Sequence, residues 1–184
     1  PSTSATPASR LFLLLALTGC RRGEALQLKW EDVDLERGRI TIQAQKTGME
    51  RWVPLTGAAE GEIAPRFCRL LKVWWEEDPE RTYVLPHEGL EAPTFPKKAW
   101  EAVLRELELS EKSPIGPQKL RQNFTSYAAS LGIPAAVAAM WQGHSAEVAQ
   151  RHYRQQVLDR NPHATDFEEA MGIGKTIEKL VAMR

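Results

Sequence analysis

Residues 119–124, KLRQNF, and 141–154, WQGHSAEVAQRHYR, place an arginine, a histidine and a tyrosine (Arg121, His144, Tyr153) at spacings that suit one phosphate-handling site. The first stretch belongs to a helix predicted from about Gln118 to Leu131 and stopped by Gly132, with Leu120, Phe124, Tyr127 and Leu131 as its buried stripe. At 100° per residue Arg121 borders that stripe, roughly 80° from its centre, and Gln118 lies one turn behind on the more exposed side. Pro134 suits a first helical position, and Val137, Ala138 and Trp141 form the next helix, which ends at Gly143-His144. Ser145 can cap a further helix running through Tyr153. Unbroken helix would hold His144 and Tyr153 about 13 Å apart, so the break at Gly143 to Ser145 has to fold them together.

Working outward, a third stretch, TGCRRGE at 18–24, supplies Arg21 and, three residues on, Glu24. On a helix that spacing makes them neighbours, so the carboxylate can hold the guanidinium. Before it, an apolar run ends at Leu17 and is broken by Thr18-Gly19; it is too short to span a bilayer and predicts a buried helix starting at Ser9 or Arg10. A second short helix is predicted to carry Arg21, Glu24, Leu26 and Leu28. The stretch GRITIQAQKTGMERWVPL, residues 38–55, alternates Ile40 and Ile42 with polar residues, turns through Gly48 and resumes at Trp52-Val53, a hairpin with Lys46 at its tip.

Residues 60–109 read as two scaffold helices around a turn-rich loop holding His87. Ile63, Phe67, Leu70, Leu71 and Trp74 carry the first; Trp100, Val103, Leu104 and Leu107 carry the second. Past Tyr153, Ile173, Ile177, Leu180 and Val181 recur at helical spacing, an apolar face that must be covered either in cis or by a neighbour. GIGKT at 172–176 is not a phosphate loop, because the first glycine of that motif falls at Glu169.

The chain's 184 residues, 42% hydrophobic, are enough for one good core with an appended tail. Residues 1–9, PSTSATPAS, have linker composition and predict a joint to an upstream domain; 10–160 form the domain proper and 161–184 a tail helix. The 24 Lys and Arg balance 24 Asp and Glu, so any affinity for nucleic acid comes from local patches. Cys20 and Cys68 stand far apart with no metal-type spacing, which fits a reducing cytoplasm better than a disulfide framework or a zinc site.

Five elements in order, T-G-x-R-x-x-E, a hairpin lysine before V-P-L, L-R opening an aromatic helix, G-H, and a tyrosine nine residues after that histidine, resemble the catalytic domain of tyrosine recombinases, the phage-integrase family. The resemblance runs over about residues 11–153. It implies a mainly α fold with a small antiparallel β-hairpin or sheet, the DNA breaking-rejoining enzyme type. It implies that Arg21 and Arg121 clamp the scissile phosphate, that Glu24 supports the site and that Lys46 acts near the leaving 5′ oxygen. His144 then hydrogen-bonds the phosphate and Tyr153 attacks it to form a 3′-phosphotyrosyl link. No metal or nucleotide cofactor is implied. The implied partner is a double-stranded DNA recombination site bound by a homo-tetramer, the protein alone being monomeric or weakly associated, off the membrane, in a bacterial or phage-type cytoplasm at the nucleoid.

The residue types make chemical sense by themselves. Attack on a phosphodiester builds negative charge that guanidinium forks match bidentately. A tyrosine of pKa near 10 needs cationic neighbours to become nucleophilic, and Lys46 can protonate the departing alkoxide. Arg22, Arg151 and His152 are expected to face DNA. One position departs from the family pattern: Gln118 stands where a histidine is usual, and an amide cannot shuttle a proton. Two rival readings follow, a recombinase-shaped DNA-binding protein that performs little or no chemistry, and a nicking-closing enzyme like the type IB topoisomerases.

Overall fold

The computed structural model describes residues 6–43, 50–55, 65–86, 94–109, 115–144 and 167–182. Helix α1, Pro7–Thr18, begins inside the stretch expected as linker, because the Thr6 hydroxyl accepts from Ser9 N at 3.2 Å and caps it. Its apolar run lies inward, with Leu11, Leu14, Leu15 and Leu17 buried. The helix closes on Gly19 at φ 60°, where an added Cβ would stand 2.6 Å from the Phe124 ring. Only glycine allows both that backbone turn and that approach.

Helix α2, Arg22–Leu26, is shorter than expected: Arg21 is its N-cap and Leu28 lies past its end. Glu24 causes this boundary, since its carboxylate accepts from Arg21 N at 2.6 Å and fastens Arg21 in extended backbone, as the acidic arm of a capping box does. A 3₁₀ turn, Trp30–Asp32, leads into strand β1, Val33–Asp34, which pairs antiparallel with β2, Arg39–Gln43. Strand β3, Glu50–Pro54, completes the sheet in the order β1-β2-β3. The expected hairpin is therefore present, with a short third strand beside it. Ile40 faces Val53 and Ile42 faces Arg51, so the inward face carries a buried arginine while Trp52, 45% exposed, points outward. Lys46 lies outside the described residues.

Helices α3, Pro65–Glu77, and α4, Lys97–Glu106, are the expected scaffold pair. Phe67, Leu70, Leu71 and Trp74 are buried, whereas Leu107 falls past the end of α4 and is 59% exposed, outside the stripe it was predicted to extend. Helix α5, Gln118–Ser130, packs against α1 and against α6, Ala135–Gln142. Its buried face is Arg121, Phe124, Thr125, Ser126 and Ala128; Leu120, Tyr127 and Leu131 are half-buried. The expected stripe is thus rotated toward the polar side. Carbonyls of the α1 and α6 ends wait there for a guanidinium, and burial of hydrogen-bonded polar groups is tolerated.

Helices α7, Phe167–Ala170, and α8, Gly174–Ala182, return to the body of the same chain. Phe167 stacks on Phe124 at 4.8 Å, and Ile177 is buried where α8 packs on α3. Arg66 ties the pair down, donating to Glu168 at 3.2 Å and to Glu178 at 2.8 Å. The terminal apolar face is therefore covered in cis. Among the described residues no helix is long and apolar enough to cross a membrane. Cys20 and Cys68 are free thiols.

Candidate functional site

The C-terminus of α6 organises the site. A helix end leaves its last carbonyls without intrahelical donors and carries partial negative charge. Gly143, at φ 66°, turns the chain away and opens these carbonyls to the side. Three consecutive ones each take a different arginine. Arg51 Nε donates to Trp141 O at 2.8 Å, Arg121 Nη2 donates to Gln142 O, and Arg21 Nη2 donates to Gly143 O at 3.1 Å. Residues more than 120 positions apart in sequence thereby meet beside His144.

Arg121 is 5% exposed and also donates through Nη1 to Gly19 O at 2.5 Å. Burial, then the charges of Arg21 and Arg51, pull its guanidinium down to about 10, with Glu24 opposing them. It stays cationic at neutral pH. Arg21 differs: its side chain is 47% exposed and is steered by Glu24 Oε1 at 2.9 Å. Glu24 is itself held by a buried fork, Arg51 Nη1 to Oε1 at 3.1 Å and Nη2 to Oε2 at 2.6 Å. Burial pushes the Glu24 carboxyl up, but hydrogen bonds from Arg51 and from Arg21 N outweigh it and hold the group below its ordinary value. Three guanidiniums against one carboxylate leave a local positive excess in a chain of zero formal net charge.

His144 and Gln142 complete the described cluster. His144 Nε2 lies 2.5 Å from Gln142 Oε1, which also accepts from Thr125 Oγ1 at 2.8 Å, while Gln142 Nε2 donates to Arg121 O at 2.7 Å.

Of the residues predicted from sequence, Arg21, Glu24, Arg121 and His144 are brought together. Gln118 is exposed at the first residue of α5. Arg22 is exposed and sets its guanidinium 5.4 Å from the Phe95 ring centre. Lys46, Arg151, His152 and Tyr153 fall outside the described residues. Sequence reasoning missed Arg51 and Gln142. Arg51 had a signal, its alternation with Val53 on β3; Gln142, a single amide ending an alanine-rich helix, had none.

The phage integrase family model matches residues 2–158. Among curated proteins the chain is similar to the prophage integrase IntF of Escherichia coli (strain K12), 29% identical over 157 residues, covering 83% of this chain and 31% of that protein. It is also similar to the tyrosine recombinase XerA of Pyrococcus furiosus, 27% identical over 135 residues, covering 73% of this chain and 45% of that one. The chain thus spans about a third to a half of these relatives' lengths. Among solved structures, the XerH site-specific recombinase in a post-cleavage complex with palindromic difH substrate superposes with a TM-score of 0.63 at 23% identity, over 91% of this chain and 46% of that one. The lambda integrase catalytic core superposes with 0.55 at 18% identity, over 78% of this chain and 87% of that one. These neighbours share the fold, mostly helical with a small antiparallel sheet.

Proposed function

The chain belongs to the phage integrase family, and on that premise we propose that it is the strand-cleaving domain of a site-specific DNA recombinase working through a 3′-phosphotyrosyl intermediate. The observation that carries this reading is the set of three arginines on consecutive carbonyls beside His144, a positive site built without carboxylate excess. Arg21 and Arg121 present guanidinium edges to the non-bridging oxygens, where charge grows during attack. Tyr153 loses its phenolic proton to water as its oxygen bonds to phosphorus, the phosphorus–O5′ bond breaks, and the 5′ oxygen takes a proton from Lys46. The phosphotyrosyl bond conserves the energy of the broken ester, so rejoining by a 5′ hydroxyl needs no nucleotide cofactor. Gln118 contributes hydrogen bonds and no proton. Arg22, Arg151 and His152 contact the DNA backbone, which positions the duplex. Assembly as a tetramer on paired recombination sites, and residence with bacterial or phage-type DNA in the cytoplasm, belong to the same proposal.

The test uses a pool of duplexes of randomised sequence, each carrying a nick that lets a short 5′-hydroxyl fragment diffuse away after cleavage. Incubation with the 184-residue chain should trap covalent protein–DNA adducts, and Tyr153→Phe should trap none. Duplex binding with no adduct from the wild-type chain favours the silent DNA-binding reading instead. Relaxation of supercoiled DNA with no strand exchange favours the nicking-closing reading.

A further inference from the structure

We propose that Gln142 is a positioning residue that couples Arg121 to His144 and fixes the protonation pattern of the His144 ring. The inference rests on the recombinase reading for its consequence in catalysis, but its geometry stands apart from it.

Gln142 is fully buried, and its amide can be oriented in one way only. Its Nε2 lies 2.7 Å from the carbonyl oxygen of Arg121, an atom that only accepts, so the nitrogen must be on that side. The amide oxygen then faces Thr125 Oγ1 at 2.8 Å and His144 Nε2 at 2.5 Å. An amide oxygen cannot donate. His144 Nε2 must therefore carry a hydrogen, and in the neutral ring Nδ1 is left as the acceptor nitrogen.

The same residue grips Arg121 twice. Its main-chain carbonyl receives the Arg121 guanidinium, and its side chain donates to the Arg121 main chain. Rotation of the Gln142 amide would break contacts on the arginine and the histidine together. Gly19 leaves room for this amide, since a Cβ there would lie 2.9 Å from Gln142 Nε2. One buried amide thus sets the relative placement of the two groups that flank the phosphate site. Misplacement by about 1 Å in such a constellation costs on the order of 100-fold in rate.

Long-range nitrogen–proton NMR correlation on the DNA-free chain, at a pH where the ring is neutral, reads the tautomer directly; the His144 signals are identified by their loss in His144→Ala. The expected result is a single Nε2–H form in the wild type and a shift toward a mixed population in Gln142→Leu. Gln142→Glu, whose carboxylate still accepts from His144, should keep Nε2–H. A wild-type ring in the Nδ1–H form or averaging between forms overturns the proposal, as does an unchanged tautomer in Gln142→Leu. Should Gln142→Leu fail to fold, the wild-type and Gln142→Glu spectra decide alone. On a nicked duplex recovered from the randomised pool, adduct formation by Gln142→Leu should slow about 10–100-fold at saturating DNA; an unchanged rate removes the positioning role. If no variant or wild type forms adducts, the function proposal fails while the tautomer result still stands or falls by itself.

Discussion

The two arginines proposed to clamp the phosphate, Arg21 and Arg121, are held in opposite ways. Arg121 is buried, anchored on the carbonyls of Gly19 and Gln142, and burial pulls its pKa down to about 10 while leaving it charged at neutral pH. Arg21 is half exposed and guided by Glu24, which Arg51 holds from behind. Arg121 is thus a part of the fold that also has a charge, while Arg21 is a charge that the fold aims. Removing the first should damage structure and chemistry together; removing the second should damage chemistry almost alone.

The largest effect expected is from Arg121→Met. It strands two buried carbonyls and should cost about 3 kcal/mol in urea unfolding, with no adduct formed. Arg21→Met should abolish the adduct equally but shift stability by less than about 1 kcal/mol, as exposed ion pairs do. Equal stability losses in the two variants would break the contrast. Gly19→Ala comes next, at about 2–3 kcal/mol by thermal or urea unfolding, because it forces φ 60° on an alanine and drives a Cβ to 2.6 Å from Phe124.

Glu24→Gln sharpens the Arg21 side. It leaves buried Arg51 without a counter-charge and should cost about 2 kcal/mol at pH 7. Glu24 is held below its ordinary 4.5, so its carboxylate form stabilises the fold above that pH, and the contribution is lost as pH falls from 4.5 through the lower folded value. Unfolding measured between pH 7 and pH 3 should therefore show a steeper acid loss in wild type than in Glu24→Gln. The smallest effect lies between the two anchorages at Cys20, whose thiol burial pushes up to about 11. It should resist iodoacetamide at pH 8 in the native chain and react in urea; native labelling would show that the Gly19–Arg21 turn opens.

The same contrast decides how much was legible in the sequence. Arg21 with Glu24 is a local pair, three residues apart, and was readable as such even though Arg21 proved to be a cap rather than a helical residue. The long apolar helices α1 and α3 and the Ile40/Ile42 hairpin were readable for the same reason, since period and pattern are properties of neighbours. Arg121's surroundings come from α1 and α6, remote in sequence, and a stripe counted from apolar residues alone turns the helix away from its polar burial. Arg51 was passed over despite its register with Val53, because a charge on a strand is read as outward until its partner, Glu24, is in place. Strand β1, two residues long, is too short to carry a pattern.

On the proposed mechanism these guanidiniums serve a phosphate attacked by Tyr153. The most direct test is tandem mass spectrometry on the trapped adduct after exhaustive nuclease and protease digestion. The expected product is a nucleotide 3′-phosphate on Tyr153, lost in both Arg21→Met and Arg121→Met. A nucleotide on any other residue, or an adduct that survives loss of both arginines, would contradict it.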